Sequence, residues 1–248
     1  MTAAISARAL RKTFGDLVAV EGLDLDVERG EVFGLLGPNG SGKTTTIRMF
    51  CGLMPPTSGT ALVAGVDAVA DPEGVRRRIG YMSQRFGLYD DLTVRENFTF
   101  YAGLYGLNGA ARRKREAELF ASLGLDARRS QLTGTLSGGW KQKLALACAM
   151  AHRPDLIFLD EPTAGVDPAA RRQFWTMIRG YAADGVTILV TTHYMDEAAQ
   201  CDRLAFLSRG HLIGLGTPEE VTAQFGQQTV EDVFVALQAR DEAEGAPE

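Results

Sequence analysis

Cysteine is scarce in this chain of 248 residues: Cys51, Cys148 and Cys201 stand far apart, and no C-x-x-C pair occurs. That argues against a disulfide framework or a cysteine-based metal site, and fits small buried thiols in a reducing compartment. His152, His193 and His211 form no metal-ligand spacing with the cysteines. No apolar run approaches the ~18 residues of a membrane-spanning helix. The longest candidate, residues 144–151, is too short and built largely of alanine. Residues 1–12 lack the apolar centre of a signal peptide. Excess positive charge is missing as well: 26 Lys and Arg against 31 Asp and Glu leave a net charge of −5. That balance argues against nucleic acid as a general electrostatic partner. No internal repeat or low-complexity segment occurs. A cytoplasmic location is expected, with any membrane contact made through another protein.

Hydrophobic residues make up 45% of the chain and charged residues 23%, ordinary for a globular protein. The length suits one large α/β domain or a domain with a subdomain. The most informative stretch is Gly37-Pro38-Asn39-Gly40-Ser41-Gly42-Lys43-Thr44, followed by Thr45. It matches the phosphate-binding pattern G-x-x-x-x-G-K-[ST] at every fixed position. An apolar strand precedes it at residues 31–36 and a helix opens after it at 44–50. Glycines let backbone N–H groups curl around phosphate oxygens, and the helix N-terminus adds partial positive charge. Lys43 reaches terminal phosphates, and the Thr44 hydroxyl is placed to ligate Mg²⁺.

Strand patterns cover residues 5–14, 18–20, 23–27, 60–63 and 79–83. Arg76-Arg77-Arg78 reads as a solvated helix face. Thr93-Val94-Arg95-Glu96 is a capping box, and Val94, Phe98, Tyr101 and Tyr105 then share one helical face. A second helix spans residues 110–123. Strand patterns are absent between about 86 and 150, a helical insert in the main sheet. Residues 156–159 and 186–192 read as buried parallel strands. A hairpin pattern at 204–208 and 211–214 turns at Arg209-Gly210. Thr217 and Thr229 cap two further helices. The last carries Val230, Val233, Phe234 and Leu237 on one face, and a polar end expected to fray from residue 238. The expected fold is α/β: a mostly parallel phosphate-loop NTPase sheet with an antiparallel edge and an inserted α-helical subdomain. The division expected is a 1–226 ATPase domain and a 227–248 helix with an acidic tail.

Asp160-Glu161 closes one buried strand. A carboxylate there can hold the Mg²⁺ that Thr44 also touches, and the next one can orient or deprotonate an attacking water. Leu136-Ser137-Gly138-Gly139-Trp140 presents a second set of N–H groups at a helix start.

With Lys141-Gln142 after it, this stretch resembles the LSGGQ signature of ATP-binding cassette (ABC) ATPases. The resemblance covers about residues 4–237. It implies ATP and Mg²⁺ as ligands and gives further residues their expected roles. Phe14 is similar to the aromatic that stacks on adenine, and Gln84 to the glutamine that senses Mg²⁺ and links to a membrane partner. Ala164-Gly165-Val166-Asp167 is similar to the loop at the dimer seam, and His193 to the switch histidine on the γ-phosphate. Glu161, His193, Lys43 and Gln84 are thus the catalytic candidates. The cofactor-binding set is Phe14, residues 37–45 and Ser137, Gly138 and Gly139 of a second copy, and the metal set is Thr44, Gln84 and Asp160.

Trp140 stands where the family usually has Gln, so packing is expected to replace a hydrogen bond. The resemblance further implies an ATP-sandwich homodimer and a separate membrane permease. Residues 85–92 are the expected part of its docking groove. Phe86-Gly87-Leu88-Tyr89 and Thr229-Val230-Glu231-Asp232-Val233-Phe234 are similar to cassettes of drug and polysaccharide exporters. A non-transport ABC ATPase acting on ribosomes or DNA is the alternative.

Overall fold

A strand that is apolar on both sides needs cover on both faces, and this chain alternates strands with helices to provide it. The computed structural model describes residues 3–84 and 87–245. β1 (Ile5–Phe14) and β2 (Leu17–Val27) pair antiparallel, and β3 (Val32–Leu36) then enters the glycine-rich loop. α1 (Lys43–Phe50), β4 (Ser58–Val63), β5 (Val66–Asp67), α2 (Pro72–Arg78) and β6 (Ile79–Met82) follow. Three helices come next: α3 (Val94–Leu104), α4 (Gly109–Leu123) and α5 (Gly138–Ala149). Then come β7 (Leu156–Asp160), α6 (Pro168–Ala183), β8 (Thr187–Thr191) and α7 (Met195–Ala198). The hairpin β9 (Arg203–Ser208) and β10 (His211–Gly216) leads to α8 (Pro218–Gln224) and α9 (Val230–Gly245).

The central sheet has the order β10-β9-β3-β8-β7-β6, parallel throughout except for β10 on β9. The antiparallel part exceeds an edge, because β2-β1-β4-β5 form a sheet of their own. β3, β7 and β8 are buried at every position. Their period of two sends alternate side chains to opposite faces. Val32, Leu36, Ile157, Leu159, Ile188 and Val190 face a core shared with α3 to α6 and α9. Phe33, Leu35, Leu156, Phe158 and Leu189 face a second core, shared with α1 and the antiparallel sheet.

Two expected strands at 18–20 and 23–27 are one strand, because bulges in the pairing with β1 carry the ladder past Gly22. The Arg76–Arg78 face is solvated as expected, with Arg77 and Arg78 exposed and Arg76 half-buried. Arg76 and Arg78 donate to the carbonyls of Gly52 and Ala64, both at 2.8 Å, and Arg77 pairs with the exposed Glu73. α3 carries the expected capping box, with Val94 and Phe98 buried and Tyr101 half-buried. The end of α9 is helical through Gly245, as its Ala, Arg and Glu content favours. Arg85, Phe86 and residues 246–248 lie outside the described residues.

Polar side chains tie the helical region together. The fully buried Asn97 accepts from Tyr89 N at 2.9 Å and donates to Tyr89 O and to Thr133 Oγ1. Lys141 pairs with Asp90 at 2.7 Å. Residues 89–90 and the turn at 133–134 are therefore fixed to each other. Buried Glu116 meets Arg95, Arg112 and Arg129, which satisfy a carboxylate that would otherwise be costly to bury.

Candidate nucleotide site

The loop from Gly37 to Lys43 emerges from the C-terminal end of β3, beside β9 and β8. Glycine is required at its two close approaches. A Cβ at Gly37 (φ +146°) would sit 2.1 Å from Leu207 O, and one at Gly42 (φ +106°) 2.5 Å from Ala19 O. Gly42 caps α1 without a side-chain hydrogen bond, so the helix start presents its own N–H groups. Ser41 Oγ and Thr46 Oγ1 are buried with no hydrogen-bond partner among the described residues. Neither side chain lines the cavity, so the groups that fit phosphate oxygens are the backbone N–H groups of the loop and helix start.

Lys43 is buried, and its Nζ donates to Gly37 O at 2.7 Å and Pro38 O at 2.9 Å. Burial lowers its pKa, and the charges of Glu161 and Asp160 pull the other way. The ammonium is held against its own loop by neutral carbonyls, the type of cation that gains most from meeting a phosphate.

Across the cavity, Glu161 follows the end of β7 with φ +46°, a strained backbone for a non-glycine residue. Its N–H donates to Thr191 O at 3.1 Å and Thr191 Oγ1 at 2.9 Å, which holds it in that geometry. Gln84 Nε2 donates to Glu161 Oε2 at 2.8 Å, and His193 Nδ1 lies 3.4 Å from the same oxygen. Asp160 sits behind this trio and accepts from Thr191 Oγ1 at 2.7 Å. Its burial raises its pKa, against the lowering effect of the Thr191 hydrogen bond.

One cavity of ≈ 910 Å³ gathers Phe14, Gly37, Pro38, Asn39, Gly40, Gly42, Lys43, Thr44, Thr45, Gln84, Glu161 and His193. Asp160 and Ser41 do not line it: both are buried, each next in the chain to a lining residue. Leu17, Val18, Ala19, Arg209, Phe234 and Gln238 line it too, and sequence reasoning missed them. Phe234 shares the apolar face of the last helix with core residues, so the sequence does not set it apart, and it is only half-buried there. Among the described residues, no group of three or more His, Cys, Asp or Glu side chains could hold a metal by itself. Thr44 and Gln84 bring side-chain oxygens to the cavity, donors of the hard type that Mg²⁺ takes.

Ser137, Gly138 and Gly139 are not in this cavity. They open α5 on another part of the chain, with Ser137 and Gly138 exposed and no side-chain cap on the helix. Gly138 and Gly139 lie next to Gly165 and Ala170. Asp167 accepts from Ala169 N and Ala170 N and so caps α6. Buried Gln142 donates to Pro162 O at 2.8 Å, linking α5 to the segment after Glu161.

A sequence model described as ABC transporter matches residues 20–164, more than half of the chain. The chain belongs to the ABC transporter family. It is 48% identical over 238 residues to the probable multidrug ABC transporter ATP-binding protein YbhF of Escherichia coli, covering 94% of this chain and 41% of that protein. The chain thus spans about two fifths of that relative's length. It is 43% identical over 244 residues to the daunorubicin/doxorubicin resistance ATP-binding protein DrrA of Streptomyces peucetius, covering 98% of this chain and 74% of DrrA. A solved ATP-binding subunit of an ABC transporter superposes with a TM-score of 0.85 at 32% identity, covering 96% of this chain and all of its own. The ABC cassette MJ0796, solved as a dimer bound to ADP and phosphate, gives 0.78 at 26% identity, covering 86% of this chain and 98% of its own.

Trp140 stands where the resemblance implies a Gln, and the structure gives it a place. Its ring lies under Arg128, 4.2 Å from Cζ to the centroid, and Lys143 Nζ is 4.7 Å away. The indole packs among cations of its own chain. Trp140→Gln is therefore expected to change ATP turnover by less than about tenfold, or ~1.4 kcal/mol in barrier. Steady-state hydrolysis by the two full chains checks this, and a larger change would couple the side chain to chemistry.

Proposed function

We propose that this chain is the ATP-hydrolysing subunit of an ABC exporter, working as a homodimer that closes around two ATP and drives a separate membrane permease. The observation that carries this reading is a separation. Lys43, Gln84, Glu161 and His193 share one cavity, while the exposed Ser137 to Gly139 helix start lies elsewhere on the same chain. A second copy related by two-fold symmetry would present its helix start to the first copy's phosphates, and the reverse, completing two equal sites. The dimeric MJ0796 cassette supports that arrangement.

In this site the loop N–H groups and Lys43 bind the phosphates, and Phe14 receives the base. Glu161 accepts a proton from the attacking water as its oxygen bonds to the γ-phosphorus and the bond to the ADP oxygen breaks. Gln84 and His193 hold Glu161 and the γ-phosphate region in register. Thr44, Gln84 and Asp160 would hold Mg²⁺, which supplies charge neutralisation of the phosphates. Hydrolysis lets the two copies part, a ligand-driven shift in population.

No helix among the described residues is long and apolar enough to cross a membrane. The reading places the chain on the cytoplasmic face, without nucleic acid, with residues 1–226 as the ATPase domain, about 86–150 as its helical subdomain, and 227–248 as an accessory helix and tail. The names of YbhF and DrrA support an export role for an organic cargo. Besides the expected segment 85–92, none of whose described residues lines it, an apolar groove of ≈ 230 Å³ between the end of α1, β6 and the helices α3 and α5 offers a permease a docking surface. Leu53 and Leu104 stand exposed on its rim. The double variant Leu53→Asp/Leu104→Asp is expected to lower the membrane-bound fraction of the chain at least about fivefold. ATP turnover of the isolated chain should stay within about twofold of the unaltered protein. Unchanged membrane retention would remove this groove as the docking site.

A further inference from the structure

Beyond the nucleotide cavity, one fully buried carboxylate is left without a role in the chemistry described. Glu197 lies on α7, four residues after His193, and is wholly shielded from solvent. Its Oε1 accepts from Thr163 Oγ1 at 2.5 Å and its Oε2 from Thr192 Oγ1 at 2.6 Å. Arg171 Nε lies 3.5 Å from Oε1, and the Arg171 guanidinium stacks 3.6 Å over the Tyr194 ring. Thr192 Oγ1 also accepts from Tyr194 N at 3.0 Å.

These contacts join two segments just where the sheet stops holding them. The pairing of β7 with β8 ends at Asp160 and Thr191. One more backbone bond, from Glu161 N to Thr191 O, follows it. Beyond that, one segment carries Glu161 and Thr163 toward Gly165, and the other carries Thr192 and His193. Glu197 bridges Thr163 of the first to Thr192 of the second, one residue before His193 and two after Glu161. Burying a charge for stability alone is a poor bargain, since apolar side chains of similar volume often serve as well. A two-oxygen acceptor with fixed geometry offers register instead.

We propose that Glu197 is a positioning residue for ATP hydrolysis: it clamps the segment of Glu161 to the segment of His193 so that both side chains face the same reacting atoms. The proposal rests on reading Glu161 and His193 as the hydrolytic pair, which Glu161→Gln tests separately. The experiment measures kcat, ATP affinity by calorimetry and thermal midpoint for full chains carrying Glu197→Ala, Glu197→Gln, Thr192→Val, and Thr192→Val with Glu197→Ala.

Glu197→Ala is expected to lower kcat at least about tenfold with ATP affinity within about threefold. Glu197→Gln, whose amide can accept from one threonine hydroxyl and donate to the other, should recover most of the loss. Thr192→Val should lower kcat at least about fivefold, and the double variant should be no slower than Glu197→Ala alone, because both cut the same bridge. If Glu197→Ala does not fold, the nearly isosteric Thr192→Val decides. A Thr192→Val chain within about twofold of the unaltered kcat, beside an inactive Glu161→Gln chain, overturns the clamp. So do losses that multiply in the double variant, or a fall in ATP affinity and thermal midpoint that accounts for the loss of rate. An active Glu161→Gln chain would instead remove the underlying assignment.

Discussion

Replacing Glu161 by glutamine is expected to lower ATP turnover by about 10²- to 10⁴-fold, the usual contribution of a general base. The change is close to isosteric. An amide oxygen at that position can still accept from Gln84 Nε2, which now donates to Oε2 at 2.8 Å. The backbone is held independently, through Thr191 O and Thr191 Oγ1. Shape and binding should survive while proton acceptance is lost. ATP affinity should therefore stay within about threefold, and the ATP-bound dimer should accumulate, because the step that dissolves it is removed. Single-turnover hydrolysis alongside calorimetric ATP binding checks both halves. Turnover within about tenfold of the unaltered chain would remove Glu161 from the chemistry.

The second large effect is expected at Lys43. Truncation to alanine should weaken ATP binding about 100-fold, ~2.7 kcal/mol, the scale of one or two charge-assisted hydrogen bonds to phosphate. Lys43 Nζ spends its hydrogen bonds on Gly37 O and Pro38 O. Those carbonyls belong to a loop fixed by close glycine approaches at Gly37 and Gly42 rather than by the lysine. The loop should therefore keep its path without the ammonium. The bound phosphates become part of the interface between two copies, so ATP-driven dimerisation should be lost together with hydrolysis. Equilibrium binding and sedimentation in ATP test the link, and a Lys43→Ala chain that still dimerises with ATP would break it.

The strand, loop and helix around Gly37 to Thr44 were legible because their geometry is imposed locally, by glycines and by a helix start. The same holds for the capping box of α3 and the carboxylates at the end of β7. What stayed hidden depends on contacts between residues far apart in the chain. Phe234 shares an apolar stripe with Val230, Val233 and Leu237, and periodicity alone assigns all four to the core. Only the packing of α9 shows Phe234 half-buried at the nucleotide cavity. Arg209 reads as a turn residue, and its place on the cavity wall follows from how the β9–β10 hairpin lies beside β3. The solvated face of Arg76 to Arg78 was legible, but no pattern of spacing marks the distant carbonyls of Gly52 and Ala64 to which Arg76 and Arg78 donate. Glu197 carries no signal of its own in the sequence, and its burial arises from Thr163, Arg171 and Thr192 meeting from separate elements.

The central claim is that each ATP site is built from two copies, with the phosphate loop of one and the Ser137 to Gly139 helix start of the other. Complementation between two inactive chains tests it most directly. Gly138→Asp places a negative charge at that helix start. A Cβ there meets nothing closer than 4.0 Å, so the fold should accept it. A Gly138→Asp chain keeps an intact phosphate loop and Glu161, while a Lys43→Ala chain keeps an intact helix start. Each alone should be inactive. Mixed in equal amounts, they should hydrolyse ATP at least about tenfold faster than the average of the two alone, because the mixed dimer contains one site made of unaltered halves. A mixture no faster than that average would contradict the composite site.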